Sequence, residues 1–126
     1  MEMGYRSSRQ LAPESEFGPW KYCDDEKITE ITDGVESDCK LEIMVDAHRV
    51  KEQAFAPVDE SPIDMIRIAT YVKDIDKAIY LTDKVKDLGY EAGINIMAVS
   101  TEIEKDLAEA LDQVAKCPAD FVYVVD

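Results

Sequence analysis

At 126 residues the chain has room for one domain with a real core, and 46% hydrophobic with 33% charged residues is the balance of a globular protein. With 28 acidic against 14 basic residues the formal net charge is −14, a surface that repels phosphate backbones and argues against nucleic-acid binding. No run of about 18 apolar residues exists to span a membrane. The opening Met1-Glu2-Met3-Gly4-Tyr5-Arg6 lacks the basic-then-apolar order of a secretion signal, so the expected compartment is the cytoplasm. Cys23, Cys39 and Cys117 are widely spaced and odd in number, which suggests neither a zinc site nor a redox pair but ordinary thiols in a reducing compartment.

Taken in chain order, Glu2-Met3-Gly4-Tyr5 reads as the last residues of a strand. Residues 6–24, rich in Ser, Pro and charge, form a long loop that either lies over a site or is disordered. Glu26 to Ile31 fits a short helix, Leu41 to Asp46 a strand, and Val50 to Phe55 a short helix before the break at Pro57. A strand over Ile63 to Ala69 begins after Pro62, which cannot sit inside a central ladder.

From Asp74 onward, Ile75, Ala78, Ile79, Thr82, Val85 and Leu88 recur at helical spacing, and Gly89 supplies the left-handed residue that ends the helix. Ala92 to Val99 is the next strand. Thr101-x-x-Glu104 then reads as a capping box opening a helix whose apolar stripe is Ile103, Leu107, Ala110, Leu111 and Val114. Pro118 stops it, and Phe121 to Val125 is a final strand, after which the chain ends at Asp126.

The strands are nearly continuous in apolar residues, as in parallel sheets covered on both faces. Strand and helix alternating at intervals of about 25 residues make a series of βαβ units. No Gly-rich phosphate loop follows any strand, so a dinucleotide-binding domain lacks its main support. With one histidine, neither a Ser/His/Asp nor a Cys/His arrangement is supported. His48, beside Arg49 at an expected helix start, reads as a surface residue.

Four segments together resemble the metal-dependent aldolase and metallolyase family, which includes 4-hydroxy-2-oxovalerate aldolase, 3-hydroxy-3-methylglutaryl-CoA lyase and isopropylmalate synthase. They are Glu2-Met3-Gly4-Tyr5-Arg6, Asp64-Met65-Ile66-Arg67-Ile68-Ala69, Leu88-Gly89-Tyr90-Glu91-Ala92-Gly93-Ile94-Asn95-Ile96-Met97, and Phe121-Val122-Tyr123-Val124-Val125-Asp126. Each motif is unspecific alone; their order and spacing along about 120 residues carry the resemblance.

The resemblance implies an α/β fold and, more narrowly, a partial (β/α)₈ TIM barrel holding about the second to sixth strands. Residues 1–126 would then be a single incomplete barrel segment. It also implies a parent enzyme that uses a divalent cation, Mg or Mn, to form or cleave a C–C bond next to the carbonyl of a pyruvate-like 2-oxo acid. The family's Asp-x-Thr-Leu-Arg-Asp stretch and its His-x-His pair are absent here. No metal ligand is therefore assigned within the chain, and the isolated segment is expected to bind no cofactor and to be inactive.

Barrel active sites lie at the C-terminal ends of strands. On that ground Glu2, Arg6, Asn95 and Ser100 are the candidate catalytic residues, with Met97 and Asp126 as candidate substrate contacts. Each has an ordinary alternative. Glu2 could be a solvated end, Arg6 a solvated cation, Asn95 a satisfied core amide and Ser100 a turn residue. Arg67, inside a strand, needs an anion partner, for which a barrel carboxylate is the natural candidate. The rival function is a non-catalytic α/β interaction module that completes its sheet by self-association through open edges or with a partner chain.

Overall fold

The computed structural model describes residues 1–126. Five strands form one parallel sheet in sequential order: β1 (Glu2–Tyr5), β2 (Glu42–Asp46), β3 (Met65–Thr70), β4 (Glu91–Ile96) and β5 (Phe121–Val124). Three helices connect them, α1 (Asp25–Thr32), α2 (Ile75–Asp87) and α3 (Glu104–Val114). No helix is long and apolar enough to cross a membrane.

Sequential strand order and crossovers of one hand place every helix on the same face of a sheet, and the core bears this out. Ile28 of α1 and Ala78, Leu81 and Val85 of α2 pack on Ile43, Val45, Ile66, Ile68 and Ala92. Ala110 and Val114 of α3, with Ile75 of α2, pack on Ile94 and Ile96. A doubly wound domain, with helices on both faces, is excluded. The architecture is α/β, a run of consecutive βα units with all helices outside, as in part of a barrel wall.

Side chains alternate across a strand, so the residues between those core positions point to the other, inner face. There lie Glu42, Met44 and Asp46 of β2, Met65, Arg67 and Ala69 of β3, and Glu91, Gly93 and Asn95 of β4. The register adds Phe121 and Tyr123 of β5, opposite Gly93 and Asn95. No helix covers this face.

Several local expectations need correction. The strand expected over Ala92 to Val99 stops at Ile96, because Ala98 takes a left-handed conformation (φ +57°) and Val99–Thr101 turn as a short 3₁₀ helix. Thr101 does not cap the next helix. Its hydroxyl donates to the Ala98 carbonyl at 2.7 Å, closing that turn, and α3 begins after Ile103 with no side-chain cap. Ile103 and Leu111, expected in the buried stripe of α3, are exposed, because nothing covers the flank of the helix beyond β5. Residues 50–55 form only one 3₁₀ turn, Glu52–Ala54. Gly89 does end α2, at φ +97°.

Candidate functional site

The C-terminal strand ends bring together polar groups from distant parts of the sequence. Following β4, Met97 donates its N–H to the Thr70 carbonyl at 2.9 Å, and following β5, Val125 donates to Ile96 at 2.8 Å. These bonds prolong the sheet past its last ladder rungs and fix the rim. The Ser100 N–H donates to the Asp126 carboxylate at 3.0 Å. The Ser100 hydroxyl and N–H together hold the Asp126 carboxyl below the usual carboxylate range. Two of the candidate residues, 26 positions apart, thus meet at one point of the rim.

Asn95 and Met97 lie on the same side of β4 and its extension. Asn95 is buried at 7% exposure, paired in register between Ala69 and Tyr123. It is a polar amide on an inner face otherwise lined here by Met, Ala and aromatic groups. Gly93, just below it, is needed for close packing: a Cβ there would lie 3.1 Å from Met65 Cε and 3.4 Å from Tyr123 Cε2.

Glu2 does not join this rim. It is the first residue of β1, in register with Glu42 at the opposite end of the strands, and its carboxylate is ion-paired with Arg67. Arg67 also sits under the Tyr123 ring, 5.5 Å from its centroid. The anion partner that a guanidinium inside a strand requires is therefore Glu2.

Arg6 follows β1 at the C-terminal end but turns toward the helix side. Its Nε donates to the Cys23 carbonyl at 3.0 Å, one terminal nitrogen reaches the Ala54 carbonyl at 3.4 Å, and the other joins Cys23 and Asp25. Asn95 and Arg6 belong to strands three positions apart, about 14 Å at the usual inter-strand spacing.

The sequence reading missed one cluster. His48 is a surface residue, as expected, but it lies in the turn after β2 and not at a helix start. Its Nε2 approaches Asp74 Oδ2 at 2.8 Å, while Lys77 Nζ lies 3.3 Å from Nδ1 and 3.1 Å from Asp74 Oδ1. Burial opposes ionisation of Asp74, yet Lys77 and His48 outweigh it and hold the carboxyl below its ordinary range. The turn itself is made by Asp46, whose carboxylate accepts the His48 N–H at 2.9 Å. Asp74 before an apolar helical pattern was visible in the sequence. Its meeting with His48 required knowing that β2 and β3 are parallel neighbours.

These residues do not fit a divalent cation. No group of three or more His, Cys, Asp or Glu side chains is disposed to hold one. Of the inner-face and rim carboxylates, Glu2 is engaged by Arg67, Glu91 by Lys40, Asp46 by the His48 turn and Asp126 by Ser100.

Neither the known protein-family models nor the curated proteins give a match to this chain. Among solved structures it is similar to the N-terminal domain of a putative aldolase from Bacteroides vulgatus, with 28% identity and a TM-score of 0.64. The similarity covers 98% of this chain but only 40% of that one. Over nearly its whole length, this chain therefore has an aldolase-like α/β fold.

Proposed function

We propose that this chain supplies about the second to sixth strands of a (β/α)₈ enzyme that makes or breaks a C–C bond beside the carbonyl of a 2-oxo acid. The observation that carries the reading is the single uncovered face of the sheet. All helices lie behind it, and polar groups gather at its C-terminal rim, in a chain similar along its length to part of an aldolase domain. In a closed barrel that face would line the interior, and the rim would be the mouth of the site.

Within this reading Asn95 would donate its amide to a carbonyl or enolate oxygen, where a fixed dipole stabilises developing charge. The Ser100–Asp126 pair would orient a polar end of the substrate, and Met97 would bound the apolar part. Glu2, held by Arg67, would set the floor of the cavity beneath the reacting atoms. Arg6 would brace the β1 end of the mouth. A divalent cation, Mg or Mn, belongs to this reading only with ligands from outside the chain, since its own residues do not assemble them.

The test is deuterium exchange into the methyl group of pyruvate, followed by proton NMR with Mg or Mn present. The 126-residue chain should exchange no faster than the metal alone, whereas the protein encoded by the complete reading frame should exceed that control. Asn95→Ala should slow the complete protein by about 10²-fold, the usual effect of removing one oxyanion donor. A complete protein that exchanges neither pyruvate nor longer 2-oxo acids would rule the proposal out.

A second reading is favoured by one specific observation. Every residue of β5 is exposed on both faces, Phe121 to Val124 alike. An exposed apolar edge strand is a template for pairing, so a non-catalytic module that completes its sheet with a second copy accounts for the same feature. Sedimentation across concentration separates the two readings: this second one requires a defined oligomer that persists at micromolar protein.

A further inference from the structure

Away from the inner face, the C-terminal end of β1 opens into a cavity of about 630 Å³, within the range of small-molecule sites. Its walls come from residues 6–10, from the start of α1 and from the β2–β3 connection. Ala54, one of the lining residues, packs against the core shared by α1 and α2, which puts the cavity on the helix side of the sheet.

The charge of the walls runs against the rest of the molecule. In a chain of net charge −14, Arg6, Arg9 and Lys51 face this one cavity against the two carboxylates of Asp24 and Asp25. Asp25 is taken up by Arg6, and Asp24 by Arg9, which holds its carboxyl below the usual range. Arg9 is shared between Asp24 and Glu14, and Lys51 alone of the three cations makes no ion pair, so its ammonium is free to meet a ligand.

The hydrogen-bonding groups are also unbalanced, toward donors. Ser7 is 4% exposed and its hydroxyl has no partner, a costly state for a buried polar group. The Ser8 hydroxyl accepts the Lys51 N–H at 2.8 Å, which leaves its own proton to give. Buried hydroxyls with protons to donate, beside an unpaired ammonium, complement a ligand that only accepts.

We infer that this cavity is a binding site for a small oxyanion, a carboxylate or phosphate group, held by the Ser8 hydroxyl and the Lys51 ammonium, with the Ser7 hydroxyl rotating out of its shielded position to join them and Arg6 fixing the wall. The site shares Arg6 with the aldolase reading but otherwise uses the helix side of the sheet, and it does not need that reading to hold. Long-range electrostatics oppose anion binding to so acidic a chain, so an anion that binds does so through local contacts.

The experiment is a ¹H–¹⁵N NMR titration of the full chain with inorganic phosphate and, separately, with malonate, each against sodium chloride at equal ionic strength. Saturable shifts confined to residues 6–10, 24–25 and 51–56 are expected with at least one of the two. Phosphate alone identifies a phosphate site, malonate alone a carboxylate site, and both a general oxyanion site. Lys51→Gln, at an exposed position, should weaken binding at least about fivefold, and Ser7→Ala by about threefold to tenfold, each losing one charge-assisted contact. Because the Ser7 hydroxyl satisfies nothing in the chain, the alanine variant should keep the parent's circular dichroism and melt no lower than the parent. No localised shift with either anion, or unchanged affinity in Lys51→Gln, would overturn the assignment.

Discussion

Arg67 and Glu2 meet across two strands, with side chains 22% and 34% exposed, in the range where an ion pair matters mainly because removing one member strands the other. Glu2→Gln should therefore cost about 1–2 kcal/mol in urea denaturation, as should Arg67→Met, and the double variant should cost less than the two singles added. Strict additivity would mean that the pair contributes no coupling. Asp120 offers a pH test. Lys86 and the Ala92 N–H, both 2.8 Å from its Oδ2, hold its carboxyl below the ordinary range. A carboxyl whose pKa is depressed on folding stabilises fully above the unfolded value near 4, and that contribution disappears as pH falls through the lower folded value. Asp120→Asn should thus lose about 1 kcal/mol at pH 6, a figure kept small by the exposure of the site. The gap from the parent should narrow steadily as pH falls below about 4 and through the lower folded value; a gap that does not change with pH would show that the carboxylate's charge is not the source.

At the level of elements, the end of α2 is fixed by one residue. Gly89 has φ +97°, and a Cβ there would come within 2.6 Å of Val58 Cγ1. Gly89→Ala therefore combines a backbone cost of about 1–2 kcal/mol with a steric one. Placing it in a Val58→Ala background should remove the steric part and leave the backbone part, which chemical denaturation of the four proteins would resolve. This helix end was legible because Gly follows the last apolar residue of a clear period. The start of α3 was not. Thr101 and Glu104 have the spacing of a capping box, but the left-handed Ala98 puts a tight turn there, and the Thr101 N–H and hydroxyl both donate to the Ala98 carbonyl. A local motif lost to a nearby backbone conformation that its own residues do not encode.

For the whole molecule, the uncovered inner face and the bare outer side of β5 are the consequential features. Val122 and Val124 lie on the helix side of β5 and are exposed, as are Ile103 and Leu111; a further helix would cover the two valines in a longer barrel. Val122→Lys should reduce any self-association of the chain by at least tenfold in sedimentation equilibrium, with little loss of stability, because an exposed valine contributes little to the core. An association that survives this change would have to use another surface. The same bare surface agrees with a chain that spans only 40% of the solved structure it resembles.

The sequence by itself determined the alternation of strand and helix, the parallel α/β class and the apolar periodicity of α2, because burial on two faces and helical amphipathicity are written in residue order. It also placed Asn95 and Met97 on one side of a strand, since period-two geometry is local. The tertiary structure alone decided that Glu2 serves Arg67, that Ser100 meets Asp126, and that His48 meets Asp74. It alone disclosed the donor-rich cavity behind β1. Each of these joins residues 17 or more apart in sequence, and such meetings are set by which strands lie side by side, a property no local pattern of residues carries.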